Sequence, residues 1–138
     1  MDFDPETWLQ VAEICCSNIP GVSREALLRT ALNRAYYAAL LALKQRIEAA
    51  QGAGAVPAWR THEAIKQAVG TAGESFDDIR EVLEDLRKAR ERADYVLSTV
   101  ELQRDRVHVF VTRSRRLIRT RIKALPEAEF RRLRVPRG

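Results

Sequence analysis

Several residue types and sequence patterns are scarce or missing in this chain. Its 138 residues include two cysteines, two histidines and one methionine. Cys15 and Cys16 are adjacent, so they cannot form an ordinary disulfide with each other, and we expect two small thiols packed in a core. No HExxH or CxxC motif and no glycine-rich phosphate loop occurs, which argues against a zinc or di-iron site and against the common nucleotide folds. We expect no metal and no cofactor.

Long hydrophobic segments are also missing. No uninterrupted apolar run approaches the roughly 20 residues that a membrane helix needs. The first segment, MDFDPETW, is acidic, whereas a signal peptide begins with basic residues. We therefore expect a cytoplasmic protein that does not contact a membrane. With 46% hydrophobic and 31% charged residues, the composition is that of a folded protein, and the length fits one domain.

Positive charge is concentrated in the last quarter of the chain. Residues 1–100 contain 12 Lys/Arg and 15 Asp/Glu, a net charge of −3, whereas residues 101–138 contain 12 Lys/Arg and 4 Asp/Glu, a net charge of +8. This asymmetry is typical of proteins that bind an anionic partner, with nucleic acid the first candidate and an acidic protein surface the second. A solvated arginine-rich face would explain it equally simply.

Capping residues and apolar periodicity predict five helices. Asp4 followed by Pro5 predicts the start of the first helix, because aspartate accepts free backbone N–H groups there and proline lacks one. Ser23 predicts the start of a second helix that no breaker interrupts before Ala50. Thr61 is predicted to cap a short third helix.

The two remaining helices are predicted from the second half of the chain. Ser75 and Asp78 have the spacing of a capping box and predict the start of the fourth helix. Apolar residues at three- and four-residue steps predict the last helix over residues 107–125, with Pro126 as its stop. The alternation in VHVFVT, residues 107–112, would also suit a strand, but a lone strand would have no partner.

The pattern predicts an all-α protein built as an antiparallel four- or five-helix bundle. Five helices with short connections pack most simply in this way, and the sequence offers no second element type. The bundle is predicted to occupy residues 1–126, and residues 127–138 to form a basic C-terminal tail.

Two arginines occupy positions where the helical pattern predicts apolar side chains. Arg34 does so in the second helix and Arg90 in the fourth. A buried unpaired guanidinium costs several kcal/mol, so each needs acceptors, and Asp94 is a natural partner for either. Such a pair can simply fix the helix register. Alternatively, the arginines line a cleft that receives a phosphate, and tyrosines stack on a base or donate to the phosphate. These tyrosines are Tyr36, Tyr37 and Tyr95.

Three segments together resemble the signature of the small stand-alone HEPN proteins (higher eukaryotes and prokaryotes nucleotide-binding). They are RAYYAA at residues 34–39, the histidine of RTHEAI at residue 62, and RERADY at residues 90–95, which has the family's Arg-x-x-Ala-Asp-Tyr pattern. Their order and spacing also agree, and the resemblance covers about residues 5 to 125.

The resemblance implies a homodimeric four- or five-helix bundle, often encoded beside a nucleotidyltransferase-type antitoxin or within defence systems. Many family members are metal-independent ribonucleases, with a motif of arginine, four to six residues, then histidine. Here Tyr95 is the fifth residue after Arg90, and no histidine fits the motif. Tyrosine, with an ordinary pKa of about 10, is a poor general base at neutral pH, whereas histidine, at about 6.5, is well suited.

We therefore expect a HEPN-like module of toxin–antitoxin or defence type that binds RNA, a nucleotide or a partner protein and lacks efficient ribonuclease activity. One alternative is a metal-independent endoribonuclease toxin with a non-standard site, for example Arg90, Tyr95 and His62, which needs His62 or His108 in the cleft. Another is a purely structural dimerisation module. The candidate binding residues are Arg34, Tyr37, Arg90, Asp94, Tyr95, Arg115, Arg116 and Arg119.

Overall fold

The computed structural model describes residues 4–95 and 104–136, which form helices joined by turns and loops. Helix α1 spans Pro5–Cys15, α2 Arg24–Gln51, α3 Thr61–Gly70, α4 Asp77–Tyr95, α5 Arg104–Arg116 and α6 Glu127–Arg131. The 3-10 turns Ala58–Arg60 and Glu74–Phe76 precede α3 and α4, and a π-helical turn, Leu117–Ile122, continues α5. No strand occurs in the two described ranges, so the all-α class is confirmed, and residues 107–112 are helical. None of these helices is both long and apolar enough to cross a membrane.

The N-terminal caps of α1 and α2 are the predicted ones. Asp4 Oδ1 accepts a hydrogen bond from the backbone N–H of Glu6 at 2.9 Å, and Ser23 Oγ accepts one from Ala26 at 3.4 Å. Each side chain satisfies a backbone donor that the first turn of a helix leaves free. Helix α2 ends at Gln51 and is followed by Gly52, whose φ of 110° lies in the region that favours glycine.

The predicted caps of α3 and α4 are wrong. Thr61 is the first residue of α3, and its hydroxyl donates back to the carbonyls of Pro57 and Ala58, at 3.0 and 3.2 Å. Ser75 lies in the turn before α4, and its hydroxyl donates to Glu129 Oε2 at 3.0 Å. In both cases the hydroxyl donates a hydrogen bond elsewhere and does not cap the N-terminus of the helix.

Helix α5 packs along α2 and runs in the same direction. The buried hydroxyl of Ser114 donates to the carbonyl of Ala35 at 2.7 Å, and Arg46, farther along α2, donates to the carbonyl of Ile122 at 3.2 Å. Small residues allow this close approach, because α2 buries alanines on the sides that face its neighbours. These alanines are Ala31, Ala35, Ala38, Ala39 and Ala42.

Ion pairs join α5 and its π-helical continuation to α1 and α4. The pairs are Arg113–Asp85, Arg115–Glu13, Arg119–Glu6 and Arg121–Asp78, with N–O distances of 2.7 to 2.8 Å. Residue numbers rise along α5 while they fall along α1 and α4, so α5 is antiparallel to both. The consecutive long helices α1, α2, α4 and α5 therefore alternate in direction, as the predicted antiparallel bundle requires.

The segment after Pro126, predicted to be a basic tail, contributes to the core. Phe130 of α6 is fully buried, and its ring meets that of Phe76 edge-on, with centroids 5.4 Å apart and planes at 88°. Gln51, the last residue of α2, donates through Nε2 to the carbonyls of Phe130 and Leu133, at 2.9 and 2.8 Å. Leu133 is buried as well.

Arg46 caps the C-terminal end of α5 and its π-helical continuation. Its Nη1 donates to the carbonyls of Ile122 and Lys123, at 3.2 and 3.1 Å, and its Nη2 donates to that of Leu125 at 2.6 Å. These carbonyls lie at and beyond the end of the π-helical turn, where helical N–H partners run out. The guanidinium also lies 4.6 Å from the Phe130 ring centroid, so a single side chain joins α2, the end of α5 and α6.

Candidate functional site

An open cleft of about 360 Å³, here called the central cleft, lies where α2, α3 and α4 meet. Its lining consists of aromatic residues from α2 and charged or titratable residues from α3 and α4. These residues are Tyr36, Tyr37, His62, Glu63, Lys66, Arg87, Arg90 and Glu91. On α3 and α4 they stand three or four positions apart, which places them on one side of each helix.

Among the described residues, Arg90 forms fewer hydrogen bonds than its guanidinium can donate. A guanidinium carries five N–H donors. Nη1 of Arg90 donates to the Tyr37 hydroxyl over a long distance of 3.4 Å, and Nε is buried without a hydrogen-bond partner in the described part of the chain. The guanidinium carbon lies 5.2 Å from the Tyr36 ring centroid and 5.8 Å from that of Tyr37. Arg90 is therefore held by aromatic rings and has no strong acceptor among the residues that the structure describes.

His62 lies in the cleft beside Tyr36 and Tyr37. Its Nδ1 is 3.1 Å from the Tyr36 hydroxyl, its ring stacks on Tyr36 at 5.4 Å, and it meets Tyr37 edge-on at 5.0 Å. Burial raises the pKa of Tyr36 to about 12, so its hydroxyl keeps its proton at neutral pH and can donate it to Nδ1. In that arrangement the proton of the neutral imidazole sits on Nε2.

The pKa of His62 lies below the ordinary histidine value. Burial is the largest cause, because it disfavours the imidazolium cation, and the positive charge of Arg90 lowers the pKa further. The carboxylate of Glu63 opposes this shift without cancelling it. His62 is consequently neutral at pH 7 and able to accept a proton.

This pKa shift predicts how stability depends on pH. The folded state takes up the His62 proton less readily than the unfolded chain, so the stabilisation from neutral His62 is complete above the unfolded pKa of about 6.5 and is lost as pH falls below it. We expect His62→Gln to lose less stability than the wild type between about pH 7.5 and about pH 5 in urea unfolding. His108→Gln, which removes the exposed second histidine outside the cleft, is the control for the loss of an imidazole as such. An identical pH dependence in wild type and His62→Gln would contradict the assignment.

Charge in the cleft is mixed. Arg87 is bound by Glu84 on one side and Glu91 on the other, and its hydrogen bonds lower the pKa of Glu84. The lining as a whole has three cationic side chains and two carboxylates, a balance of +1 with His62 neutral. Among the described residues, Arg90 and Lys66 are the lining cations that form no ion pair with a carboxylate. An incoming anion would therefore bind Arg90 without displacing an ion pair.

Arg34 lies next to the cleft rather than in its lining. Its guanidinium carbon is 4.3 Å from the ring centroid of Trp8, and Nη1 donates to Asn33 Oδ1 at 3.3 Å. Trp8 in turn lies 6.3 Å from the Tyr37 ring. Aromatic rings, rather than a carboxylate, therefore link the two arginines that the helical pattern singled out.

The expected pairing of Asp94 with Arg34 or Arg90 does not occur. Asp94 is exposed, and among the described residues neither arginine forms an ion pair with it. It lies four positions beyond Arg90, near the end of α4, whereas Arg90 turns toward the tyrosines of α2. Tyr95 is the last residue of α4, and its side chain lies outside the described residues.

The arginines of the last helix form a different kind of surface. Arg115 and Arg119 are bound by Glu13 and Glu6 of α1, and the hydrogen bond from Arg119 lowers the pKa of Glu6. Arg116 is exposed and has no carboxylate partner among the described residues. Carboxylates of α1 and α4 thus neutralise four arginines of this region, namely Arg113, Arg115, Arg119 and Arg121, and none of Arg115, Arg116 and Arg119 lines the central cleft.

Four lining residues were not singled out from the sequence: Glu63, Lys66, Arg87 and Glu91. Helical spacing is the sequence feature that could have identified two of them: Lys66 follows His62 by four positions, and Arg87 precedes Arg90 by three. That spacing identifies them only once His62 and Arg90 are known to face each other.

No metal site accompanies the cleft in the part of the chain that the structure describes, where no three His, Cys, Asp or Glu side chains converge. Comparison with known proteins finds no matching family model, no matching curated protein and no matching solved structure.

Proposed function

We propose that the central cleft binds a phosphate group of RNA or of a nucleotide, in a HEPN-like module without efficient ribonuclease activity. The observation that carries the proposal is Arg90, a half-buried guanidinium with a buried unpaired Nε and no carboxylate partner in the described residues. Arginine matches the geometry of phosphate oxygens with two parallel hydrogen bonds. A phosphate in the cleft therefore supplies acceptors that the described residues do not offer to Arg90.

The aromatic residues around Arg90 support the same ligand class. The half-buried Tyr37 has its ring and hydroxyl in the lining of the cleft, next to the hydrogen-bonded pair Tyr36 and His62. Aromatic faces accept nucleobases by stacking, while the guanidinium neutralises the backbone charge. Efficient cleavage is not part of the proposal, because it needs both a proton acceptor and a proton donor, and the cleft has one imidazole beside a tyrosine that holds its proton.

Binding of a short fluorescent RNA, followed by anisotropy at increasing salt concentration, tests the proposal. Phosphate contacts release counterions, so the logarithm of the affinity must fall linearly with the logarithm of the salt concentration. One to three contacts give a slope of about −0.7 to −2 on a single strand, since each neutralised phosphate contributes about −0.7. Absence of binding at low salt, or binding that salt does not weaken, would overturn the proposal.

A second candidate function is a metal-independent endoribonuclease. It is favoured by one specific observation: His62, neutral at pH 7, lines the same cleft as Arg90. These are the two residue types of the HEPN motif, although Arg90 follows His62 in the chain instead of preceding it. Incubation of purified protein with total RNA and EDTA should then yield discrete fragments, and His62→Gln should abolish them. Intact RNA at high protein concentration would exclude this candidate.

The resemblance extends the proposal to a biological setting. We place the protein in a toxin–antitoxin or defence system, as a homodimer with a nucleotidyltransferase-type partner. The support is the combination of the RAYYAA and RERADY segments, which contribute Tyr36, Tyr37 and Arg90 to one cleft. Light scattering of the purified chain gives its mass in solution, and a monomer at high concentration would contradict the homodimer.

A further inference from the structure

Trp59 is the most exposed large apolar side chain among the described residues. It is 72% exposed, in the 3-10 turn Ala58–Arg60 that leads directly into α3. Tryptophan is usually well buried in folded proteins, because its large ring gains much from leaving water. Nothing in the packing of the bundle calls for an indole at this position.

The indole has a cationic neighbour that is not neutralised. The guanidinium carbon of Arg60 lies 5.2 Å from the Trp59 ring centroid, and no carboxylate pairs with Arg60 in the described ranges. This contrasts with Arg115 and Arg119, whose charges are bound by glutamates. An aromatic face beside an unpaired arginine is the combination that proteins use to hold single-stranded nucleic acid, stacking on a base and attracting its backbone.

Chain connectivity places this pair beside the central cleft. Trp59 lies three positions before His62 in sequence, so their Cα atoms are at most about 11 Å apart whatever the backbone path. Arg60 is closer still, two residues before His62. Because His62 lines the central cleft together with Arg90, a single strand of a few nucleotides can span from a phosphate at Arg90 to Trp59.

We infer that Trp59 and Arg60 form a base-stacking subsite beside the central cleft, so that the preferred ligand is a single-stranded oligonucleotide rather than a lone nucleotide. The inference rests on the proposed function, because the Arg90 cleft supplies the first phosphate contact. A nucleic acid fits better than a protein partner. Arg60 and Arg90 both lack a carboxylate partner in the described ranges, and the backbone of a nucleic acid supplies negative charges at regular intervals.

Titrations with hexauridylate and with uridine monophosphate test the inference. Trp59→Ala should weaken hexauridylate binding by about tenfold to a hundredfold, the range expected for one stacked base, and leave the mononucleotide affinity within about twofold. Trp59→Phe keeps an aromatic face and should retain most of the affinity. Val109→Ala, at an exposed apolar position of α5, is the control for a general loss of hydrophobic surface and should bind as the wild type.

The two proposals fail in different ways. If Arg90→Met abolishes binding of both ligands while Trp59→Ala binds hexauridylate as tightly as the wild type, the stacking subsite is wrong and the phosphate cleft stands. If Arg90→Met changes neither affinity, the proposed function itself is wrong. If Trp59→Ala instead abolishes self-association and leaves RNA binding intact, Trp59 is a protein contact, and the subsite is overturned.

Discussion

Arg90→Met should lose RNA affinity by about tenfold to a hundredfold, and its unfolding midpoint in urea should equal or exceed that of the wild type. The loss corresponds to about 1.5–3 kcal/mol for hydrogen bonds to a charged group. The gain in stability follows from the buried Nε of Arg90, which has no partner among the described residues, because methionine fills similar space without a polar group to desolvate. Weaker RNA binding together with equal or greater stability is the result expected if Arg90 serves ligand binding and lowers the stability of the fold.

A purely structural role for Arg90 predicts the opposite pair of results, with stability lost and RNA binding unchanged. Arg116→Ala is the matched control, because it removes one charge from an exposed arginine outside the cleft. We expect it to bind RNA within about twofold of the wild type, since one dispersed surface charge adds little at physiological salt. Equal losses in Arg116→Ala and Arg90→Met would assign binding to overall charge rather than to the central cleft. Arg90→Lys should recover only part of the affinity, because lysine keeps the charge but loses the planar fork.

Phe130→Ala should lower the free energy of unfolding by about 3–5 kcal/mol, the usual cost of deleting a buried aromatic ring. The ring is fully buried and packs edge-on against Phe76, while the guanidinium of Arg46 covers it from α2. Truncation therefore leaves a cavity that rigid neighbouring helices cannot close. Urea unfolding followed by circular dichroism measures the change, and the midpoint should fall while the slope stays constant.

Arg131→Ala is the control for this substitution. Arg131 lies next to Phe130 in α6, and its ion pair with Glu127 is mostly exposed, so its loss should change the free energy of unfolding by less than about 0.5 kcal/mol. A Phe130→Ala cost below about 1 kcal/mol would mean that α6 contributes little to the core, as expected of a loosely attached tail.

The sequence by itself determined the features that depend on neighbouring residues. Asp4 and Ser23 identified the starts of α1 and α2, because a capping side chain acts on backbone groups only two or three positions away. Apolar periodicity identified the all-α class and the helical state of residues 107–112 for the same reason. It also singled out Arg34 and Arg90 as polar residues on half-buried faces.

Other features depended on contacts between distant parts of the chain. The hydroxyl of Ser75 binds Glu129, 54 positions away, and so does not cap α4. The five residues of α6 are too few to be stable as an isolated helix, and α6 forms because Phe130 packs into the core. Neither contact can be predicted from the pattern of residues along the sequence.

The site shows the same division. The sequence presented Tyr37, His62 and Arg90 as candidates for a common cleft. Only the packing of α2, α3 and α4 decides that these three line it, and that Arg90 has no strong acceptor among the described residues. Conversely, the basic last helix was conspicuous in sequence, and tertiary structure neutralises part of its charge, because α1 and α4 bring carboxylates to Arg113, Arg115, Arg119 and Arg121. Net charge is a sum over the sequence, whereas the charge available to a ligand depends on which side chains have already found partners.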